Sequence, residues 1–137
     1  MKPTIIRASH TDTTQPERFE DTSRGQISWH TLFSSHLTPT TAMSAGIAYC
    51  PPKTGYLAHH RHSHDEIYYI VSGQGRVVVE GIDYEVAAGD SVFIPGDAEH
   101  GVCMDQNSKE GLKWLYVFAA DFFGDVKYRF RAEEKEA

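Results

Sequence analysis

The stretch that decides the fold is Gly55-Tyr56-Leu57-Ala58-His59-His60-Arg61-His62-Ser63-His64-Asp65-Glu66-Ile67-Tyr68. Four of the chain's eight histidines fall inside it. On extended backbone successive side chains alternate between faces, so His60 and His62 point the same way. Glu66 and Tyr68 share a face on the strand that follows. If both strands look into one interior, two imidazoles, a carboxylate and a phenol converge there. A second group, Pro95-Gly96-Asp97-Ala98-Glu99-His100, closes one strand and opens another. His100 can then supply a further imidazole from across the same interior.

Outward from this centre the chain reads as short strands. QISWHTLF (26–33), MSAGIAYC (43–50), EIYYIVSG (66–73), GRVVVEG (75–81), YEVAAG (84–89), SVFIPG (91–96), GVCM (101–104) and LKWLYVFAA (112–120) are rich in Val, Ile, Tyr and Phe. Gly or Pro separates most of them. Helical periodicity is nearly absent, so the spacing predicts an all-β sandwich or barrel. Ser72-Gly73-Gln74-Gly75 reads as a hairpin turn. Residues 119–125, AADFFGD, read as a turn or a single helical turn. The expected organisation is an N-terminal arm over 1–25, a barrel domain over 26–131 and a disordered tail over 132–137. The arm is expected to be extended, with an edge strand near Ile5 and Ile6.

The chain has 137 residues, enough for one domain core, and a formal net charge of −6. It has no basic stripe with interleaved aromatics, so nucleic acid is not an expected partner. No stretch is long and apolar enough to span a membrane, and the N-terminus lacks the apolar core of a signal peptide. Cys50 and Cys103 form no metal or disulfide motif and read as free thiols of a reducing compartment. A cytoplasmic location is expected.

Three imidazoles and one carboxylate suit a single divalent first-row ion: Fe, Ni, Mn, Zn or Cu. A closed structural zinc site more often uses cysteine. Four ligands on an ion of higher coordination leave positions for water or substrate.

With these residues in view, the chain resembles the cupin superfamily in both of its motifs. The first, H-x-H-x3-E-x6-G, is His60, His62, Glu66 and Gly73, with Gly55 ahead of it. The second, G-x5-P-x-G-x2-H, is carried by Gly89, Pro95 and His100. Asp97 stands where a Gly is common, and Met104 where an Asn is usual. The resemblance covers about residues 26–120 and implies a double-stranded β-helix (jelly-roll) barrel, a small-molecule substrate and a homodimer. It also implies His60, His62, Glu66 and His100 as the metal ligands.

HHRHSHDEIYYI, PGDAEH and LKWLYVFAADFFGDVKYRF further resemble the small single-domain dimethylsulfoniopropionate lyases. That resemblance implies a tyrosine two residues after the cupin Glu, here Tyr68, and a second after the last barrel strand, here Tyr128, acting near the metal. The function it implies is metal-dependent elimination on a small carboxylate, giving acrylate and dimethyl sulfide. Other cupin chemistries use the same ligand set: an iron-dependent dioxygenase, a sugar or keto-acid isomerase, or a non-catalytic metal and small-ligand binder.

Other residues in the region have plainer readings. His59 is expected to face outward and His64 to sit in a solvated turn, with Arg61 and Asp65 at the surface. Trp114, Tyr116 and Phe118 share one strand face, and Trp29 and Phe33 another; these are core positions, some of which wall the pocket. Met43 and Met104 read as gap fillers.

Overall fold

The computed structural model describes residues 1–134. A short helix α1 (Ser9–Thr13) is followed by twelve strands: β1 (Glu17–Arg18), β2 (Gly25–Gln26), β3 (Ser28–Phe33), β4 (Ser44–Cys50), β5 (Tyr56–Arg61), β6 (Glu66–Ser72), β7 (Gln74–Val79), β8 (Ile82–Ala87), β9 (Ser91–Ile94), β10 (His100–Cys103), β11 (Leu112–Phe118) and β12 (Arg129–Phe130). Two 3-10 turns, Phe123–Asp125 and Arg131–Glu133, complete the described chain. The strands form two antiparallel sheets. One runs β1-β3-β4-β11-β6-β9 and the other β12-β5-β10-β7-β8, with β2 also against β5.

Period-two burial explains why these segments are strands. In β11, Leu112, Trp114, Tyr116 and Phe118 point inward, and in β6 Glu66, Tyr68 and Ile70 do. The core runs between the sheets through Ala48, Leu57, Ile70, Val77, Ile94 and Val102. Among the described residues no helix is long and apolar enough to cross a membrane.

Several expectations need correction. Ser72 to Gly75 is not a hairpin, because β6 and β7 belong to different sheets. Gly73 (φ 82°) turns the corner between them, so close to the Gly111 carbonyl that no side chain fits. The hairpin is one link later, β7 to β8, across Glu80 and Gly81, both at positive φ (49° and 78°), as a type I′ turn requires. The strand expected at Ile5 and Ile6 is absent, and the arm pairs instead through β1 on β3 and β2 on β5. Trp29 and Phe33 do not share a face. A register shift between Thr31 and Phe33 leaves Trp29 opposite buried Ala48 and Phe33 opposite outward Ala45. Met104 is buried as a gap filler, but Met43 is 58% exposed. Within the expected tail, residues 132 and 133 belong to the 3-10 turn Arg131–Glu133, while 135–137 lie outside the described residues.

Candidate metal centre

His60 and His62 come from the end of β5 and the residue after it, Glu66 opens β6, and His100 opens β10. All four are at most 2% exposed. The structure therefore brings together the four residues singled out in the sequence. A β-bulge aids this. Across β5 and β10, His60 pairs with His100 but Leu57 pairs with Val102. The extra β5 residue turns both Leu57 and His60 inward although they differ by three. Gly101 permits it, since a Cβ there would meet the His59 ring at 2.6 Å.

Each ring is oriented by a backbone carbonyl two residues away. Nδ1 lies 2.7 Å from the Ala58 carbonyl in His60, 3.0 Å from that of His64 in His62, and 2.9 Å from that of Ala98 in His100. A carbonyl only accepts, so each Nδ1 carries the proton. In the neutral rings the lone pairs are then on Nε2, and a ligating nitrogen from each of the three residues lies within 4.8 Å of the others. The His60 Nε2 is buried with no hydrogen-bond partner. Burial, then the neighbouring His100, holds His60 well below the usual imidazole pKa, so it stays neutral.

Glu66 Oε1 lies 3.2 Å from Nε2 of both His62 and His100. Two donors about 2.1 Å from one ion lie about 3.0 Å apart at a right angle and about 3.4 Å apart at the tetrahedral angle. The observed spacing falls between these. A cation held between them would satisfy the buried carboxylate and the imidazole lone pairs together. The residues present therefore fit a divalent ion bound by three nitrogens and one oxygen, and Fe, Ni, Mn, Zn and Cu all accept that set.

Above the centre is a cavity of about 330 Å³, with Glu66, Tyr68 and Tyr128 in its wall. Tyr128 stacks on His60, ring centroids 4.7 Å apart and planes at 7°. Tyr68 meets His100 edge-on at 6.4 Å and leans on Trp114 at 5.5 Å. Burial and then the Glu66 charge push both phenols well above the usual tyrosine range. The Tyr116 hydroxyl is buried, unpartnered and pressed against Gly46.

Sequence reading missed one side of this cavity. Phe19 and Arg24 come from the N-terminal arm, and Phe130 and Lys127 from the last segment. Phe19 packs on Trp29 at 5.0 Å and Phe130 at 5.6 Å, and the Arg24 guanidinium lies 5.1 Å over Phe130. Arg24 also donates two hydrogen bonds to Glu133, at 2.6 and 2.7 Å, tying arm to C-terminal segment across the mouth. No periodicity marks such contacts.

The neighbouring residues have supporting places. His59 lies 3.8 Å from Glu99, away from the centre. Arg61 pairs with Glu80 and the Asp97 carbonyl. The Gly96 amide donates to Asp65 at 2.6 Å, which fixes the turn before His100. Asp97 stands at φ 65°, the left-handed conformation for which a glycine is common there.

The description "Cupin domain" belongs to the family pattern matched by residues 46–118. The chain is 38% identical over 113 residues to the dimethylsulfoniopropionate lyase DddW of Ruegeria pomeroyi, covering 82% of this chain and 71% of that one. The polyketide cyclase RemF of Streptomyces resistomycificus superposes with a TM-score of 0.74 at 17% identity, over 93% of this chain and 86% of that one. The dimethylsulfoniopropionate lyase DddQ of Ruegeria pomeroyi gives 0.65 at 21% identity, over 81% and 54%. At those identities the two structures speak to the fold alone.

Proposed function

The chain belongs to the cupin domain family, and on that premise we propose that it is a metal-dependent carbon–sulfur lyase that splits dimethylsulfoniopropionate into acrylate and dimethyl sulfide. The observation that carries this reading is the placing of two tyrosines in one cavity wall with Glu66, beside three imidazoles whose ligating nitrogens lie within 4.8 Å of one another. The identity to a lyase of that substrate over most of both chains supplies the substrate class.

His60, His62, Glu66 and His100 would hold the ion. When bound, a divalent cation offsets the Glu66 charge, polarises a substrate carboxylate and favours the phenolate form of a nearby tyrosine. Tyr128 or Tyr68, as phenolate, takes the proton from the carbon next to the carboxylate. The C–H electron pair becomes the carbon–carbon double bond, and the carbon–sulfur pair leaves with sulfur. Acrylate, neutral dimethyl sulfide and a protonated tyrosine result. The rings of Phe19, Trp29, Trp114 and Phe130 keep the cavity apolar and present π faces to a sulfonium.

The test is headspace detection of dimethyl sulfide from protein loaded in turn with Fe, Ni, Mn and Zn. Release that depends on metal and is lost in His100→Ala supports the reading. No release from protein shown to carry metal sinks it. Oxygen uptake on turnover would instead indicate a dioxygenase.

A further inference from the structure

We propose that Arg131, through its grip on Glu99, is a positioning residue that holds Tyr128 stacked on His60. Its catalytic consequence rests on the proposed lyase reading, in which Tyr128 works beside the metal. The last segment alternates. Tyr128 and Phe130 face the cavity, whereas Arg129 and Arg131 are more than half exposed. On the inner side the Tyr128 ring lies 4.7 Å from that of His60 with planes at 7°, and Phe130 lies 5.3 Å from the same imidazole. Backbone alone holds this segment weakly. β12 is two residues long, shorter than the usual range for a strand. It pairs Arg129 with Arg61 and Phe130 with His60, and Tyr128 precedes it outside the ladder. A stacked pair has no directional bond to stop one ring sliding over the other, so any slide of the strand passes to Tyr128.

The outward arginines supply the missing constraint. Both reach over β5 to the segment that leads into β10, Arg129 to Asp97 and Arg131 to Glu99. The two pairs differ in weight. Arg129 and Asp97 are 53% and 68% exposed, and an ion pair in that setting contributes little. The Glu99 side chain is 12% exposed, and Arg131 meets both of its oxygens, Nε donating to Oε2 at 3.0 Å and Nη2 to Oε1. A two-point grip of this kind fixes orientation as well as distance.

The anchor is itself fixed. The Glu99 N–H donates to the Glu80 carboxylate at 2.6 Å, and the Glu99 carbonyl accepts from the Glu80 N–H at 2.8 Å. Glu99 directly precedes His100. The grip therefore ties the segment that bears Tyr128 to the strand that His100 opens, across the strand that bears His60.

The test reads the stack itself by nuclear magnetic resonance of zinc-loaded protein carrying isotope-labelled histidine. The Tyr128 ring current shifts the His60 ring-proton signals, and Tyr128→Ala marks their unstacked position. Arg131→Ala should move the His60 signals toward that position, and Arg131→Lys, which keeps a cation on Glu99, should recover most of the shift. Arg131→Gln breaks the same grip with a longer side chain if the alanine variant does not fold. Arg76→Ala breaks a surface pair elsewhere on the same sheet and should move nothing. Circular dichroism and bound zinc report that each variant folds and keeps its centre. In turnover of dimethylsulfoniopropionate, Arg131→Ala should lower kcat at least ~10-fold with KM within about two-fold, since about 1 Å of misplacement can cost ~10²-fold. That loss should vanish in a Tyr128→Phe background. His60 signals that stay at the parent position in the folded, grip-breaking variants overturn the inference, whether or not dimethyl sulfide is released. So does, in an active enzyme, a kcat unchanged by Arg131→Ala or lowered equally with and without the Tyr128 hydroxyl. A protein that shows the His60 shift but releases no dimethyl sulfide would keep the positioning role and sink the lyase reading alone.

Discussion

Replacing Glu66 by Gln should move stability in opposite directions with and without metal. In the metal-free protein the carboxylate is 2% exposed, and Oε1 lies 3.2 Å from two Nε2 atoms whose rings already donate through Nδ1. It faces lone pairs. A Gln amide of the same size donates to them, so a repulsive contact becomes hydrogen bonds. The gain should be about 1–3 kcal/mol, the size of an unsatisfied buried group. With metal the sign reverses, because the anionic ligand is gone. If affinity falls about 100-fold, the metal-dependent stabilisation at saturation falls by about 2.7 kcal/mol. For 137 residues at ~2.1 cal/mol/K each, 1 kcal/mol corresponds to about 3–4 °C in Tm. Thermal unfolding in chelator should therefore rise by about 3–10 °C in the variant. The upward shift on adding metal should shrink by about 9 °C. Equal losses in chelator and in metal would refute the argument. They would mean that Glu66 is held by two proton-bearing imidazoles rather than aimed at an ion.

Other substitutions test other parts. Tyr128→Phe and Tyr68→Phe keep the rings, so bound metal, measured by mass spectrometry, should not change; loss of the proton acceptor should lower kcat by about 10²–10⁴ for whichever residue is the base. Gly46→Ala puts a methyl group into the Tyr116 hydroxyl, which should cost about 1–3 kcal/mol in urea unfolding; an unchanged midpoint would show that Tyr116 swings aside freely. Burial, with a smaller contribution from Cys103, pushes the Cys50 thiol up to about 12 from 9.0. It should resist alkylation near pH 8 until the chain unfolds, while the partly exposed Cys103 reacts first. Above pH 9 the unfolded Cys50 ionises and the folded one does not, so this group's effect on stability turns unfavourable as pH rises from about 9 towards 12. Peptide mapping after timed alkylation reads the reactivity order, and early labelling of Cys50 would contradict it.

The barrel and its four candidate ligands were legible because both are written locally. Alternating burial in β6 and β11 follows from residues two apart, and the histidine spacing fixes which rings share a side. Where sequence reading failed, a long-range contact or a register break had decided the outcome. Ser72 to Gly75 has hairpin chemistry, yet Gly73 is a corner because the Gly111 carbonyl arrives from a distant loop. Trp29 and Phe33 have matching parity, and one irregular residue between them separates their faces. Phe19 and Arg24 reach the cavity because the arm is held by β1 on β3, by β2 on β5 and by Glu133, which lies 109 residues from Arg24.

The orientation of the rings is more local still, and this bears on how the centre could be lost. His60 uses the carbonyl of Ala58, His100 that of Ala98 and His62 that of His64, each two residues away. No side chain supplies these bonds, so Ala58, Ala98 and His64 can change identity without releasing a ring. Backbone change is different. A proline at Arg61 would impose its fixed φ at a β5 position and remove an N–H from between the two rings. Arg61→Pro should therefore reduce metal content sharply, whereas His64→Ala should leave it within about two-fold, well short of the 10–100-fold that a lost outer partner costs. Metal analysis of the two purified, folded proteins separates the cases. A large loss in His64→Ala would show that the His64 side chain, rather than its carbonyl, holds the centre together.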